Sequence, residues 1–304
     1  REDTMHRFQW LVATGLVAGA ALSIKWTALA TPGLIALVSF LGIPPSEKPL
    51  PLSECLLAGF LGIGLYTLIF KLHFMICSKS GPGDAWMPLS FQATLKNSAH
   101  YNPEAKRPWF VQMFAHLNWR MLESNARINV RHHWESHWYQ WVVNWRGLLM
   151  FSDRDRPDKQ EVQVYLIGNP FVVYTCFAFS VIFAITVLVL VRYRKQLLRG
   201  FSNQDRKYNL YMGILLLVGW LLNLLPYILV DRPAFVYHYI PGLYYAMLLS
   251  GICVEFLPPK VRVVVVVLAI IPMVWGLIYW APWIYALPIP ADQHAARRWL
   301  KRWD

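Results

Sequence analysis

The chain is 304 residues long, 56% apolar and only 15% charged, with a formal net charge of +12 and a mean hydropathy of +0.35. Soluble domains carry close to a quarter charged residues, so a disordered chain, a coiled coil, a disulfide scaffold and a cytosolic enzyme are excluded, and nucleic acid is not the expected partner. The composition is that of an all-α polytopic membrane protein, whose Lys and Arg sit in loops and set its orientation.

A helix needs about 20 apolar residues to cross the hydrocarbon core. Seven segments are candidates: 8–24, 26–46, 52–76, 164–191, 209–230, 233–254 and 263–291. The first run lacks an A-x-A-like exit, so no cleavable signal peptide is expected. The chain opens on Arg1, not Met, which points to a processed product, a fragment or a truncated start. Gly15, Gly19 and Ser23 recur every fourth residue and let a neighbouring backbone approach closely. Lys25 separates the first two runs, and Pro32-Gly33 interrupts the second. The segments divide the chain into three membrane helices over 1–76, a Trp- and His-rich loop over 77–163, four membrane helices over 164–291, and a tail over 292–304. Cys55, Cys77, Cys176 and Cys253 lack CxxC spacing, so neither a zinc site nor a disulfide framework is expected.

Orientation follows from the short loop 192–208, where Arg192, Arg194, Lys195, Arg199, Arg206 and Lys207 face a single Asp205. The positive-inside rule makes it cytoplasmic. Alternation then places 44–51 and 257–262 on the same side, and 77–163, the Asp231-Arg232 turn and the tail on the other. The tail's Arg297, Arg298, Lys301 and Arg302 run against the rule.

The 77–163 loop holds seven of the 15 Trp and five of the nine His. Its opening, Ser80-Gly81-Pro82-Gly83-Asp84-Ala85, makes a tight turn where a helix leaves the membrane. Asp84 caps the next segment or serves as a polar site residue. Further on, Trp134, Trp138, Trp141 and Trp145 would share one face of a helix lying in the headgroup region. His133 and His137 have the spacing of a metal pair around Glu135, but the order is not His-Glu-x-x-His, so no metal is expected. Lys25 and Arg232 are cations at helix ends on the non-cytoplasmic side. Their natural partner is a lipid phosphate at that surface, although snorkelling accounts for them equally.

Several of these stretches, in order, resemble the C-terminal half of the protein O-mannosyltransferase family, the dolichyl-phosphate-mannose–protein mannosyltransferases. Thr14-Gly15 with Ser23-Ile24-Lys25-Trp26 is similar to the family's TG…SvKW pair. Ser80-Gly81-Pro82-Gly83-Asp84-Ala85-Trp86-Met87 and Phe91-Gln92-Ala93-Thr94-Leu95 resemble its SGPGDAFM…FQ-x-TL stretch. Ser136-His137-Trp138 to Trp141 and Arg146 resemble SKWxxWP…R, and Gly168-Asn169-Pro170 resembles LGNP. Leu225-Pro226-Tyr227, Arg232 and Phe235 to Pro241 resemble PW…R…F-x-HHY-x-P.

The resemblance implies a partial GT-C glycosyltransferase-type helix bundle, with about seven membrane helices and one large lumenal loop. It implies transfer of mannose from dolichyl phosphate mannose, the lipid donor, to Ser or Thr of secretory proteins in the endoplasmic reticulum lumen, with no other cofactor. Lys25, Arg232, Arg131, His133 and His137 would serve the donor phosphate, and Asp84, Gln92 and Ser136 the acceptor side. The family's catalytic Asp-Glu step does not occur here, so the catalytic residues are expected on a missing N-terminal half or a partner chain. The MIR domain of eukaryotic members is also absent, His137 replaces the usual Lys, and no Pro follows Trp141. A hetero- or homo-oligomer is the expected state. The rival expectation is an inactive, mannosyltransferase-derived subunit that scaffolds a larger complex, in this or another organelle membrane.

Overall fold

The computed structural model describes residues 2–44, 46, 48–128, 130–157, 160–193 and 204–303. They form two compact units, Arg1–Ile43 with Lys48–Ile128, and Pro44–Glu47 with Asn129–Asp304. Arg194, Lys195 and Arg199 of the basic 192–208 loop lie outside the described residues.

The first unit contains helices α1 (Glu2–Ile24), α2 (Ala30–Leu41), α3 (Leu52–Ile76), α4 (Leu89–Gln92) and α5 (Phe110–Arg127). The small-residue stripe decides how α1 meets α3. A Cβ on Gly15 would lie 2.7 Å from the Ala58 carbonyl oxygen, and one on Gly19 would lie 2.4 Å from that of Gly62. Backbones touch there, as the four-residue repeat predicts. Lys25 breaks the helix in extended conformation (φ −162°, ψ 135°), and the chain restarts in a 3₁₀ turn over Trp26–Leu29. Helix α2 ends at Gly42, whose φ of 62° suits a left-handed cap. At the far end of α3, Phe74, Met87, Phe91, Leu95 and Met113 bury together, backed by Phe70, Phe110 and Leu117. This core fixes the turn after α3 and helix α5 onto the end of α3.

The second unit carries a three-stranded antiparallel sheet that the helical pattern did not announce. Strands β1 (Leu148–Asp153) and β2 (Gln160–Leu166) pair with a bulge between Leu149 and Phe151, and β3 (Ile289–Pro290) joins the outer edge of β2. Around it stand α6 (Trp138–Trp141), α7 (Pro170–Arg192), α8 (Gln204–Leu222), α9 (Ile240–Glu255), α10 (Pro259–Tyr279), α11 (Ala281–Ile284) and α12 (Ala291–Arg297). The start of α7 shows why the Gly-Asn-Pro run suits a helix entry. Gly168 takes a φ of 66°, Asn169 accepts from the Phe171 amide at 3.0 Å, and Pro170 occupies the first turn. The Asn169 amide also donates to the Met273 carbonyl at 2.7 Å, close to Gly276, where a Cβ would crowd it.

Five helices among the described residues are long and apolar enough to span a membrane: Met5–Ile24, Leu52–Ile76, Pro170–Arg192, Asp205–Leu229 and Pro259–Tyr279. The expected count of about seven is therefore not met on length. The 26–46 segment gives only Trp26–Leu41. The 233–254 segment opens in a 3₁₀ turn over Val236–Tyr239 and becomes α-helical at Ile240. The 263–291 run stops as a long helix at Tyr279, because its remaining aromatic residues fold inward. Trp280, Trp283, Tyr165, Ile167 and the tail's Trp303 form one buried cluster, packed against Trp134, Leu149, Phe171, Tyr279 and Leu300. The 292–304 tail is thus part of this unit's core.

The tryptophan stripe is a second correction. Only Trp138–Trp141 is helical. Trp134 sits in a turn held by Glu135, whose carboxylate accepts from the His132 amide at 3.2 Å. Past Trp141 the left-handed φ of Asn144 (52°) ends any helical course before Trp145. The one long helix of the loop is α5 instead.

Candidate functional site

In the first unit the sequence-derived residues gather around α5. The Trp26 indole N–H donates to the Tyr66 hydroxyl at 3.0 Å, and that hydroxyl donates to the Asn118 side-chain oxygen. The break carrying Lys25 is thereby tied through α3 to α5. Lys25 itself is exposed at the end of α1. Two residues before Asn118, His116 Nε2 meets the Trp86 carbonyl at 3.1 Å. This bond anchors the Asp84–Trp86 turn to the same helix.

Asp84 acts first as a local cap. Its Oδ2 accepts from Ser80 Oγ at 2.5 Å and from the Gly81 amide at 3.1 Å. The two glycines and the proline are thus held in a closed turn. Gln92 donates to the Met87 carbonyl at 2.8 Å, so its amide braces the same loop. Both residues have structural partners within this turn.

In the second unit a different constellation forms. The Ser136 amide donates to the Ala234 carbonyl at 2.8 Å, which fastens the Arg131–His137 stretch to the segment carrying Arg232. Below that bond lies Trp141, fully buried. Its indole N–H donates to Ser136 Oγ at 2.9 Å, its ring stacks on His238 (6.0 Å, 15°), and Tyr227 meets it edge-on at 4.9 Å. His132 adds an edge contact to Phe235 at 5.1 Å. Of the expected site, Arg131, His133 and His137 thus lie on the stretch fastened beside Ala234, and Arg232 stands two residues before Ala234 in the chain. The three loop residues are exposed and Arg232 is half-buried. Ser136 lies at 3% exposure beneath them, where its hydroxyl braces Trp141.

The two segments carry Arg131 and Arg232 beside the carboxylates of Glu135 and Asp231. Arg131 reaches Glu135 at 3.4 Å, and both are partly solvated, so the pair contributes little. The His133 ring is edge-on to Trp134 at 5.1 Å, and the His137 ring stacks on Tyr139 at 5.5 Å. The histidines are thus occupied by separate aromatic neighbours. An array of this kind can stabilise negative charge that develops on a bound phosphate.

Three residues beyond the sequence-derived set hold these arrangements. Arg146 is 7% exposed, donates to the His133 carbonyl at 2.5 Å, and lies over the Trp134 ring at 5.4 Å. His238 is the stacking partner of Trp141. Asn118 closes the relay from Trp26. The spacing Phe110, Met113, Phe114, Leu117 and Met121 is helical and could have located α5. Nothing in the local sequence connects Ser136 with Ala234, 98 positions further on.

Comparison with known proteins places these elements in context. The model of the C-terminal four-transmembrane region of protein O-mannosyltransferase matches residues 110–303. Dolichyl-phosphate-mannose–protein mannosyltransferase 6 of Saccharomyces cerevisiae is 29% identical over 176 residues, which cover 55% of this chain and 22% of that protein. Dolichyl-phosphate-mannose–protein mannosyltransferase 1 of the same yeast is 24% identical over 251 residues, 77% of this chain and 29% of the relative. The chain thus spans less than a third of the length of these relatives. Among solved structures, a chain of the S. cerevisiae protein O-mannosyltransferase Pmt1-Pmt2 complex bound to the sugar donor superposes with a TM-score of 0.79 at 14% identity. That match covers 98% of this chain and 70% of the other, and it shows that the two share a fold.

Proposed function

Because the chain belongs to the protein O-mannosyltransferase family, we propose that it supplies the donor-phosphate and acceptor-side surfaces for moving mannose from dolichyl phosphate mannose to Ser or Thr of secretory proteins. In that reaction the bond between the mannose anomeric carbon and the phosphate oxygen breaks. The acceptor hydroxyl oxygen forms the new bond and gives up its proton to a base. The dolichyl phosphate leaves with its negative charge. Cations close to the departing oxygen lower the barrier because charge grows there in the transition state. Arg232, Arg131, His133 and His137 are suited to that role, and Lys25 at the end of α1 is suited to the phosphate at the membrane surface.

The observation that carries this reading is the Ser136–Ala234 backbone bond over the Trp141–His238 stack. It supports reading Arg131, His133, His137 and Arg232 as one donor-phosphate surface of the second unit. The base belongs to a carboxylate outside this set, on an N-terminal half or a partner chain. Five described helices are long and apolar enough to cross a membrane, and the endoplasmic reticulum is the location we infer for this chain. Asp84 and Gln92 enter this reading as residues that shape the acceptor-side turn.

The test is transfer of radiolabelled mannose from the dolichyl donor to a Ser/Thr peptide by the membrane-reconstituted protein with its partner chain. Arg232→Ala and Lys25→Ala should each lower the rate by about 10²-fold, the cost of removing one charge-stabilising donor. Wild-type rates in both variants refute the phosphate role. Donor binding without turnover in any assembly instead favours the scaffold reading.

A further inference from the structure

A cavity of about 300 Å³ lies wholly within the first unit, between the Asp84–Trp86 turn and the last two turns of α5. It is lined by Trp86, Arg120, Glu123, Ser124, Arg127 and Ile128. None of these residues belongs to the phosphate-site set. The lining follows a clear division. Trp86 and Ile128 give an aromatic and an aliphatic wall, and the other four residues give hydrogen-bonding groups.

The polar side is a hydrogen-bonded network. Arg120 Nη1 sits 2.6 Å from Glu123 Oε2, and Arg127 Nη2 sits 2.6 Å from Glu123 Oε1. One carboxylate thus joins two guanidinium groups in a row. Each guanidinium has five N–H donors and the carboxylate has four lone-pair sites, so capacity is left over on both. Ser124 adds a group that both donates and accepts. Trp86 is 47% exposed, and Arg120 approaches its ring at 5.9 Å. The aromatic wall is pre-set, because His116 holds the Trp86 carbonyl and Asp84 closes the turn before it.

The chemistry of the lining selects among ligands. A simple anion would find a net charge of only +1 in the network, would lie against the Glu123 carboxylate, and would leave the Trp86 and Ile128 walls unused. A cation would meet two guanidiniums. A long apolar chain would leave four polar side chains unpaired. A polyhydroxylated ring suits all parts: its hydroxyls donate to Glu123 and accept from Arg120, Arg127 and Ser124, while its C–H face lies on the indole. The volume stands at the lower end of small-molecule sites, which suits one ring and not an extended oligosaccharide. We propose that this cavity binds a single neutral pyranose. The proposal goes beyond the transferase reading, since it concerns reversible sugar binding that requires neither donor nor turnover.

The test uses the full chain in detergent and three probes: methyl α-D-mannopyranoside, mannose 1-phosphate and inorganic phosphate. Saturation-transfer NMR reports contact, and the ring-current shift of the sugar C–H protons reports stacking on Trp86. The glycoside should bind saturably. Glu123→Gln should weaken it roughly tenfold, the loss of one hydrogen bond to a charged group. Trp86→Leu should abolish the ring-current shift. Arg127→Ala, at a largely exposed side chain, should also weaken binding and preserves the measurement if Trp86→Leu unfolds the turn. Tighter binding of the glycoside than of mannose 1-phosphate identifies an acceptor-borne sugar. The reverse order identifies the donor's sugar, and both keep the pyranose. Absence of saturable glycoside binding, binding unchanged in Glu123→Gln and Arg127→Ala, or phosphate bound in place of the glycoside overturns it. Loss of mannose transfer with sugar binding intact would count against the transferase reading alone.

Discussion

The stretch that bears Arg131, His133 and His137 is braced from below by one buried side-chain hydrogen bond, and a double-mutant cycle can weigh it. Trp141 is 0% exposed and Ser136 is 3% exposed, and their side chains meet at 2.9 Å. Trp141→Phe keeps an aromatic ring against His238 and Tyr227 but removes the indole N–H. It leaves Ser136 Oγ buried without its donor, a cost of about 1–3 kcal/mol. The smaller ring adds a cavity term. The single variant should therefore cost roughly 2–4 kcal/mol. Ser136→Ala orphans the indole N–H and should cost about 1–3 kcal/mol. The double variant removes both partners at once, so its cost should fall below the sum of the singles by about 1 kcal/mol or more. Reversible denaturant unfolding in micelles gives the three values, and mannose transfer should decline in the same order. Additivity within ~0.5 kcal/mol, with transfer unaffected in both singles, refutes the view that this bond supports that stretch.

Gly19→Val should open the crossing of α1 and α3, since the new Cβ lands 2.4 Å from a backbone oxygen and neither helix can yield a side chain. A loss of about 1–3 kcal/mol is expected in the same unfolding assay, whereas Gly33→Ala, with nothing within 4 Å, should be neutral or slightly stabilising. Arg146→Lys should fail to rescue Arg146→Ala in transfer, because the guanidinium both reaches the His133 carbonyl and lies over Trp134, and an ammonium cannot do both. His294→Ala should release the C-terminal segment. His294 is 1% exposed, accepts from the Trp283 indole at 2.9 Å and meets the Glu161 carbonyl at 3.0 Å. Its loss should make the bonds after Arg297 and Arg298 susceptible to trypsin while the wild type resists.

What the sequence disclosed follows the range of the forces involved. The long spans were legible because a bilayer demands an unbroken apolar run, and α3, α7 and α10 supply one. The stripe of Gly15 and Gly19 was legible because helix contact repeats every fourth residue. The Gly-Asn-Pro start of α7 was legible because a cap is made by neighbours in sequence. The sheet was not. Strand β3 is two residues long, and its pairing with β2 bridges about 130 positions, so no local periodicity marks it. The tryptophans misled for a related reason. Their i, i+4, i+7 spacing is what a helix would use, but burial against remote partners decided their places: Trp141 against His238 and Trp134 against Tyr165.

The same distinction applies within each unit to its candidate site residues. Residues of the Ser80–Trp86 turn could be named from sequence because their partners lie within a few positions, as Ser80 and Asp84 do. Their neighbour α5 supplies the binding groups of the cavity, and α5 is visible only as a run of Phe110, Met113, Phe114 and Leu117 amid polar residues. Arg232 could be named as a cation and Arg131 and His133 as donors, but not as residues of neighbouring segments. Their proximity depends on a backbone bond that carries no side-chain signature, and on a tryptophan whose importance lies in being hidden. Charge at a membrane surface is a compositional fact, while a phosphate site requires those charges to converge. On the proposed reading the Trp141–His238 stack is the floor that would hold them, so substitutions at Trp141 or His238 should impair transfer as severely as loss of a surface arginine.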